Sequence, residues 1–276
     1  HYQHYKEDVA IMKELGLKSY RFSVSWPRVM PEPGVINEKG LQFYINLVDE
    51  LVNAGITPMC TLFHWNLPMW AHEWGGWESE QTINYFEQYA KVVVEALSDK
   101  VSYWITLNEP QCFVGCGYWT GVHAPFQKLP IERIKTITRV VMLTHGKTAK
   151  IIRENAKIAP QIGFAPTCDA WVPTDTSEDA ISKARELSLR DEANPFTMIY
   201  WADPIVLGQI PESLKDILSP EDIQVIHQPL DFYAYNVYSS SNYGGEPLAH
   251  NPDVTPGLAR TTMDWVIQPA VMYWAS

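Results

Sequence analysis

The sequence predicts an α/β protein, a parallel sheet wound by helical crossovers, of the (β/α)₈ TIM barrel type, in a single domain over residues 1–276. Three observations predict it. Strand-like and helix-like periodicities alternate along the chain, the pattern of parallel strands with helical crossovers. No strand is followed by the Gly-rich phosphate loop expected after the first strand of a doubly wound sheet. Polar and aromatic residues gather where strands end: Arg21 to Trp26, His64 with Trp65, Asn108 with Glu109, Asp169, and Asn236 to Tyr238. Barrels carry their chemistry at the C-terminal ends of many strands.

The elements follow in order. Tyr5, Val9, Met12 and Leu15 share one face of a helix over residues 5–15, and Gly16 stops it. Tyr20 to Trp26 alternates as a strand up to Pro27. Leu41, Tyr44, Val48 and Leu51 align on a helix over residues 38–54, which Gly55 caps. Thr57 to Trp65 is the next strand, and Phe86, Ala90, Val93 and Leu97 mark a helix over residues 79–98. Val101 to Leu107 is the third strand. A long helix over residues 130–155 runs through Ile134, Ile137, Val141 and Thr148. Ile162 to Ala170 is the fourth strand, residues 177–190 the next helix, and Asp231 to Tyr238 the fifth strand. A closed barrel fits eight strands into about 250 residues. Five strands in 276 residues therefore predict an incomplete barrel, holding about strands 2 to 6.

Composition excludes several functions. The net charge of −11 and pI of about 5.2, with no basic block, exclude a nucleic-acid or anionic-membrane partner. No apolar run reaches the length of a membrane span. Four cysteines in so long a chain suggest no disulfide framework. With no Asn-x-Ser/Thr acceptor either, the expectation is a cytoplasmic protein. Eleven tryptophans are more than a core is expected to need. Several, among them Trp65, Trp70, Trp74, Trp77, Trp119 and Trp171, stand near polar residues. Flat apolar faces next to hydrogen-bonding groups suit a sugar ring.

Val101, Tyr103, Trp104 and Ile105 lead into a bare Asn108-Glu109 pair. A carboxylate at the tip of a buried strand is costly without partners or a task. Glu109 is then either salt-bridged at a strand end or a positioned proton donor. His64 is a hydrogen-bonded core histidine or a ligand contact. Arg21 is a barrel-interior ion pair or a site residue, and Tyr238 is core or site. Asp169 is the in-chain candidate for a second carboxylate. Cys112 and Cys116, spaced C-x₃-C, have no second ligand pair nearby, so no metal is expected.

The stretches YRFSVSWPRVMPEPG, TLFHWNLPMW, GGWES, YWITLNEP, GYWTGVHAP, QPLDFYAYNVYSS and MDWVIQP occur in this order. Together they resemble glycoside hydrolase family 1, which holds retaining β-glucosidases on a (β/α)₈ barrel. The resemblance implies that Glu109 is the general acid/base at the end of the family's fourth strand. It implies that Asn108 bonds the sugar 2-hydroxyl. His64 and Trp65 match the end of the third strand, where the imidazole binds a hydroxyl of the same sugar. Arg21 matches the arginine beside the nucleophile. Asn236 and Tyr238 match the end of the sixth strand, where the tyrosine bonds the nucleophile. Trp265 resembles a structural tryptophan of a late loop.

Three segments of the family pattern are not matched: its opening strand, the Ile/Val-Thr-Glu-Asn-Gly segment that carries the nucleophile, and the loop after strand 8. Gln111 stands where many members carry an aromatic residue facing the leaving group. Retaining hydrolysis needs two carboxyl groups about 5–5.5 Å apart, one attacking and one donating a proton to the leaving oxygen. The resemblance thus implies a retaining β-glycosidase acting on β-glucosides or short β-linked oligosaccharides. Its partner is a small-molecule sugar and no cofactor is implied. Trp65 after His64 points to free rather than phosphorylated sugars. The alternative is a truncated barrel that binds sugar without hydrolysing it. Either way, open sheet edges imply an oligomer or a complementing chain.

Overall fold

The computed structural model describes residues 1–168, 170–238, 242–243, 246–247, 259–263 and 265–275. Five parallel strands stand side by side in chain order: β1 (Ser19–Ser23), β2 (Thr57–Phe63), β3 (Tyr103–Asn108), β4 (Gln161–Ala165) and β6 (Phe232–Tyr233). Their register runs Arg21↔Met59, Thr61↔Ile105, Trp104↔Ile162 and Gly163↔Phe232. Each strand adds to the same side as the last, with no reversal of order. That winding is the one that curls towards a barrel, whereas a doubly wound sheet reverses at its switch point. The sheet is not closed among the described residues. A separate small sheet joins β5 (Trp171–Val172) to β7 (Asn242–Tyr243) in parallel and β7 to β8 (Glu246–Pro247) antiparallel.

The helices between strands supply the outer layer. They are α1 (Tyr5–Glu14), α2 (Trp26–Val29), α3 (Glu38–Asn53), α4 (Met69–Glu73), α5 (Gln81–Leu97), α6 (Ile131–Asn155), α7 (Glu178–Ser188), α8 (Ile199–Ala202), α9 (Pro220–Ile226) and α10 (Val271–Ala275). The faces expected of α3, α5 and α6 are buried, including Leu51, Phe86, Ala90, Val93, Ile134, Ile137 and Val141. Asn37 caps α3 by accepting from the Gly40 N–H, and Ser219 with Asp222 forms a capping box on α9. Two glycines permit close approach. A Cβ at Gly146 of α6 would run into the Val225 carbonyl of α9, and one at Gly163 of β4 would meet the Phe232 ring.

Several expectations need correction. The first strand ends at Ser23, not Trp26, because Pro27 stands in the first turn of α2, where a missing N–H costs nothing. The fourth stops at Ala165. The fifth pairs only at Phe232–Tyr233 and is continued by a single bridge, Thr167↔Asn236. Leu15 is exposed rather than on the buried face of α1. The tryptophans do serve the core: Trp26, Trp77, Trp104 and Trp201 are all fully buried. Trp77 packs edge-on against Phe63 and Trp70 edge-on against Trp26, so part of the aromatic excess is packing.

Candidate active site

Glu109 takes its position from the end of β3. Its N–H donates to the Ala165 carbonyl at 2.7 Å, which ties it to β4. Its own φ is +50°, a left-handed conformation that few non-glycine residues adopt. Such a conformation costs on the order of 1–3 kcal/mol and persists where surrounding bonds over-determine it. Pro110 follows, and the chain turns into a π-helical segment, Gln111–Trp119, whose first N–H groups at Cys112 and Phe113 donate back to the Glu109 carbonyl. Trp65, at the end of β2, is also left-handed at φ +74°. Its indole N–H donates to the Asn108 carbonyl at 3.1 Å.

The structure brings Arg21, His64, Trp65, Asn108, Glu109, Asn236 and Tyr238 together. Asn236 Nδ2 donates to Glu109 Oε1 at 2.5 Å and to Asn108 Oδ1 at 3.1 Å. Arg21 donates from Nη2 to Asn108 Oδ1, and from Nη1 to Asn236 Oδ1 at 3.3 Å. The Tyr238 hydroxyl donates to Glu109 Oε1 at 3.4 Å. Asn108 Nδ2 lies 3.3 Å from His64 Nε2; an amide can only donate here, so that ring nitrogen is the acceptor. Glu109 is only 4% exposed, and among the described residues no salt bridge to it is found. Its strand-end position is therefore satisfied by neutral donors, not by an ion pair.

The electrostatics agree with this arrangement. Desolvation, followed by the Arg21 charge, lowers the His64 pKa against a smaller opposing pull from Glu109. That favours the neutral ring the hydrogen bond requires. Desolvation and then Glu109 raise the Tyr238 phenol, so it keeps the proton it donates. Burial lowers the Arg21 guanidinium, opposed by Glu109 and Tyr238. A cavity of about 440 Å³ opens beside β1, with Arg21, Ser23, Thr61 and His64 among its lining residues.

One residue escaped the sequence reading. Thr61, inside β2, accepts from Arg21 Nε at 3.0 Å and so fixes the guanidinium plane. Its signal is its place in the alternation of β2, opposite Ser23 in register. Gln111 does not reach out as a leaving-group contact. It is buried, its amide donating to the Thr167 carbonyl at 3.2 Å and accepting from the Thr167 N–H at 3.3 Å. The exposed Tyr238 ring lies tilted against Trp265, with centroids 5.1 Å apart. Asp169 lies outside the described residues.

A parallel β/α sheet with a hydrogen-bonded carboxylate, amides and a guanidinium converging on its C-terminal edge has the arrangement in which barrel proteins carry their chemistry. A family model described as glycosyl hydrolase family 1 matches residues 1–275. The chain is 36% identical over 288 aligned residues to beta-glucosidase A of Acetivibrio thermocellus, covering 99% of this chain and 62% of that protein. It is 34% identical to a 1,4-beta-D-glucan glucohydrolase of Thermotoga neapolitana, covering 99% and 65%. The solved beta-glucosidase of Thermotoga maritima in complex with deoxynojirimycin superposes with a TM-score of 0.84 at 33% identity, covering 99% and 62%. The chain belongs to glycosyl hydrolase family 1. It spans about 62% of the length of such relatives.

Proposed function

We propose that this sequence carries the acid/base half of a retaining β-glycosidase that cleaves terminal β-glucosides or related β-linked sugars. The observation that carries the reading is Glu109: a buried carboxylate in a left-handed strand-end conformation, held by Asn236 and Tyr238, with no cationic salt-bridge partner among the described residues. In this reading Glu109 protonates the leaving oxygen and then takes a proton from water. Asn108 and His64 bond sugar hydroxyls, with Trp65 beside them. Arg21 and Tyr238 orient the site, and Asn236 both orients Glu109 and meets the sugar. The nucleophilic glutamate of the scheme lies in the family's Ile/Val-Thr-Glu-Asn-Gly segment, which residues 1–276 do not match. No cofactor enters the scheme, and the four unbridged cysteines support a cytoplasmic location.

The test compares a protein that holds residues 1–276 together with the nucleophile-bearing segment with its Glu109→Gln variant on dinitrophenyl and alkyl β-glucosides. A nitrophenolate leaves without protonation, whereas an alkoxide does not. Loss of general acid catalysis is worth about 10²–10⁴-fold, and should fall far more heavily on the alkyl glucoside. Added azide, which needs no general base, should rescue turnover of the variant as a β-glucosyl azide. Equal losses on both substrates, without rescue, would remove Glu109 from that role.

A second reading is favoured by the open sheet: β1 and β6 have no strand on their outer sides among the described residues. In it the chain binds sugar without turnover, and its edges are covered by a second chain. Calorimetry with deoxynojirimycin and solution scattering test it. Binding without hydrolysis, by particles larger than one chain, supports this reading; a compact monomer argues against it.

A further inference from the structure

Two thiols stand just beyond Glu109, and the sugar-cleaving scheme uses neither. Cys112 and Cys116 are partly exposed and unbridged. They lie four residues apart in the π-helical segment Gln111–Trp119. In an α-helix residues four apart are offset by about 40° around the axis. Hydrogen bonds to the fifth residue widen the turn and remove most of that offset. Both Cα–Cβ bonds tilt towards the N-terminal end, so the Cys116 side chain leans over that of Cys112. The Cys116 carbonyl is pinned by the Val122 and His123 N–H groups at 2.9 and 3.0 Å, and the Cys112 N–H by Glu109 at 2.9 Å. The backbone is thus pinned on both sides of the pair, and each thiol is the strongest influence on the other. The Cys112 thiol also lies within electrostatic reach of Glu109 and Tyr238.

We propose that Cys112 and Cys116 form an oxidisable dithiol, which a hydroperoxide converts to an intrahelical disulfide next to Glu109. The Cys116 thiolate attacks the peroxide: an S–O bond forms, the O–O bond breaks, and hydroxide leaves, giving a sulfenic acid. The Cys112 sulfur then attacks the Cys116 sulfur, forming S–S and expelling the sulfenic oxygen as hydroxide. The two thiol protons convert both hydroxides to water, so one hydrogen peroxide oxidises two thiols and yields two waters. Each thiol is the strongest influence on the other, and exchanging their parts leaves the product and the balance of the reaction unchanged. The remaining cysteines, Cys60 and Cys168, are buried and serve as internal references.

The experiment treats the 276-residue chain with hydrogen peroxide, alkylates it in denaturant, and maps its peptides by mass. The expected product is a peptide in which Cys112 and Cys116 are joined, two hydrogens lighter, restored by dithiothreitol, with Cys60 and Cys168 still alkylated. Sulfinic acid at Cys116 without a link, or links between chains, would overturn the proposal. The unsubstituted chain alone decides this, so a poorly folding Cys112→Ser variant does no harm. A second measurement uses Glu109→Gln. The carboxylate charge opposes both thiolates, so its removal should speed iodoacetamide alkylation of native Cys116 at neutral pH. An unchanged rate would refute the placement of the pair next to Glu109. Neither readout needs turnover, so their failure is distinct from failure of the glycosidase reading.

Discussion

The side-chain amide of Asn236 donates to Glu109 Oε1 at 2.5 Å across 127 residues of sequence. The same nitrogen reaches Asn108 Oδ1 at 3.1 Å, while Asn236 Oδ1 accepts from Arg21. One amide therefore locks three strand ends together: those of β1, β3 and the extension of β6. Asn236→Ala leaves Glu109 with its Tyr238 contact and strips Arg21 of one acceptor. A lost hydrogen bond to a buried charged group costs about 1–3 kcal/mol. Urea unfolding should show stability reduced accordingly, and unaltered stability would mean that Asn236 does not hold these strand ends together.

His145 makes stability depend on acid. It is fully buried in α6, its Nδ1 2.7 Å from Thr106 Oγ1 and its ring against Phe164. Burial, then the Arg153 charge, lowers its pKa to about 3. The unfolded chain binds a proton at this group below about pH 6.5, which the folded chain refuses until about pH 3. Stability is complete above the unfolded value and falls as pH drops through that window. Between pH 7 and pH 5 the loss from this one group is about 2 kcal/mol. Urea midpoints at both values should converge in His145→Gln by that amount.

Arg139 and Asp222 tie α6 to α9. Arg139 Nη2 and Nε donate to the two carboxylate oxygens of Asp222 at 2.7 and 2.9 Å, and Nη1 reaches Glu80 at 2.5 Å. Burial pushes the Asp222 carboxyl up, but the Arg139 and Ser219 hydrogen bonds and the Arg139 charge outweigh it and hold it down. A depressed carboxyl contributes stability above its unfolded value, about pH 3.9, and that contribution fades as pH falls through the folded value. Arg139→Gln should cost about 1–3 kcal/mol at neutral pH and less below pH about 3.9. Guanidinium is unsuitable for an ionic contact, so urea melts at both pH values are the check.

Gly146→Ala should destabilise without touching the site. Its new Cβ meets the Val225 carbonyl, a backbone group that cannot rotate away. Overpacking of this kind costs about 1–3 kcal/mol. Thermal melts would show it; a stability equal to that of the parent would mean that α6 and α9 slide apart freely.

Local order in the sequence already carried the alternation of strand and helix, the buried faces of α3, α5 and α6, and the nomination of the polar residues that meet at the strand ends. Those features rest on local periodicity and on short motifs, such as the Asn-Glu pair at the end of β3. Strand ends were the weaker part. Trp26 reads as the continuation of an alternating strand, but Pro27 turns it into a helix, and Asp231 to Tyr238 pairs over only Phe232–Tyr233. The tertiary structure decided what the polar residues do. Arg21 finds amides, Gln111 finds the Thr167 backbone, and Tyr238 finds Glu109. The π-helical turn that aligns Cys112 with Cys116 is also invisible in the spacing alone. The physical reason is range. Periodicity is set by each residue's own neighbours, whereas the partner of a buried polar group is set by whichever distant strand end the winding of the sheet brings within about 3 Å.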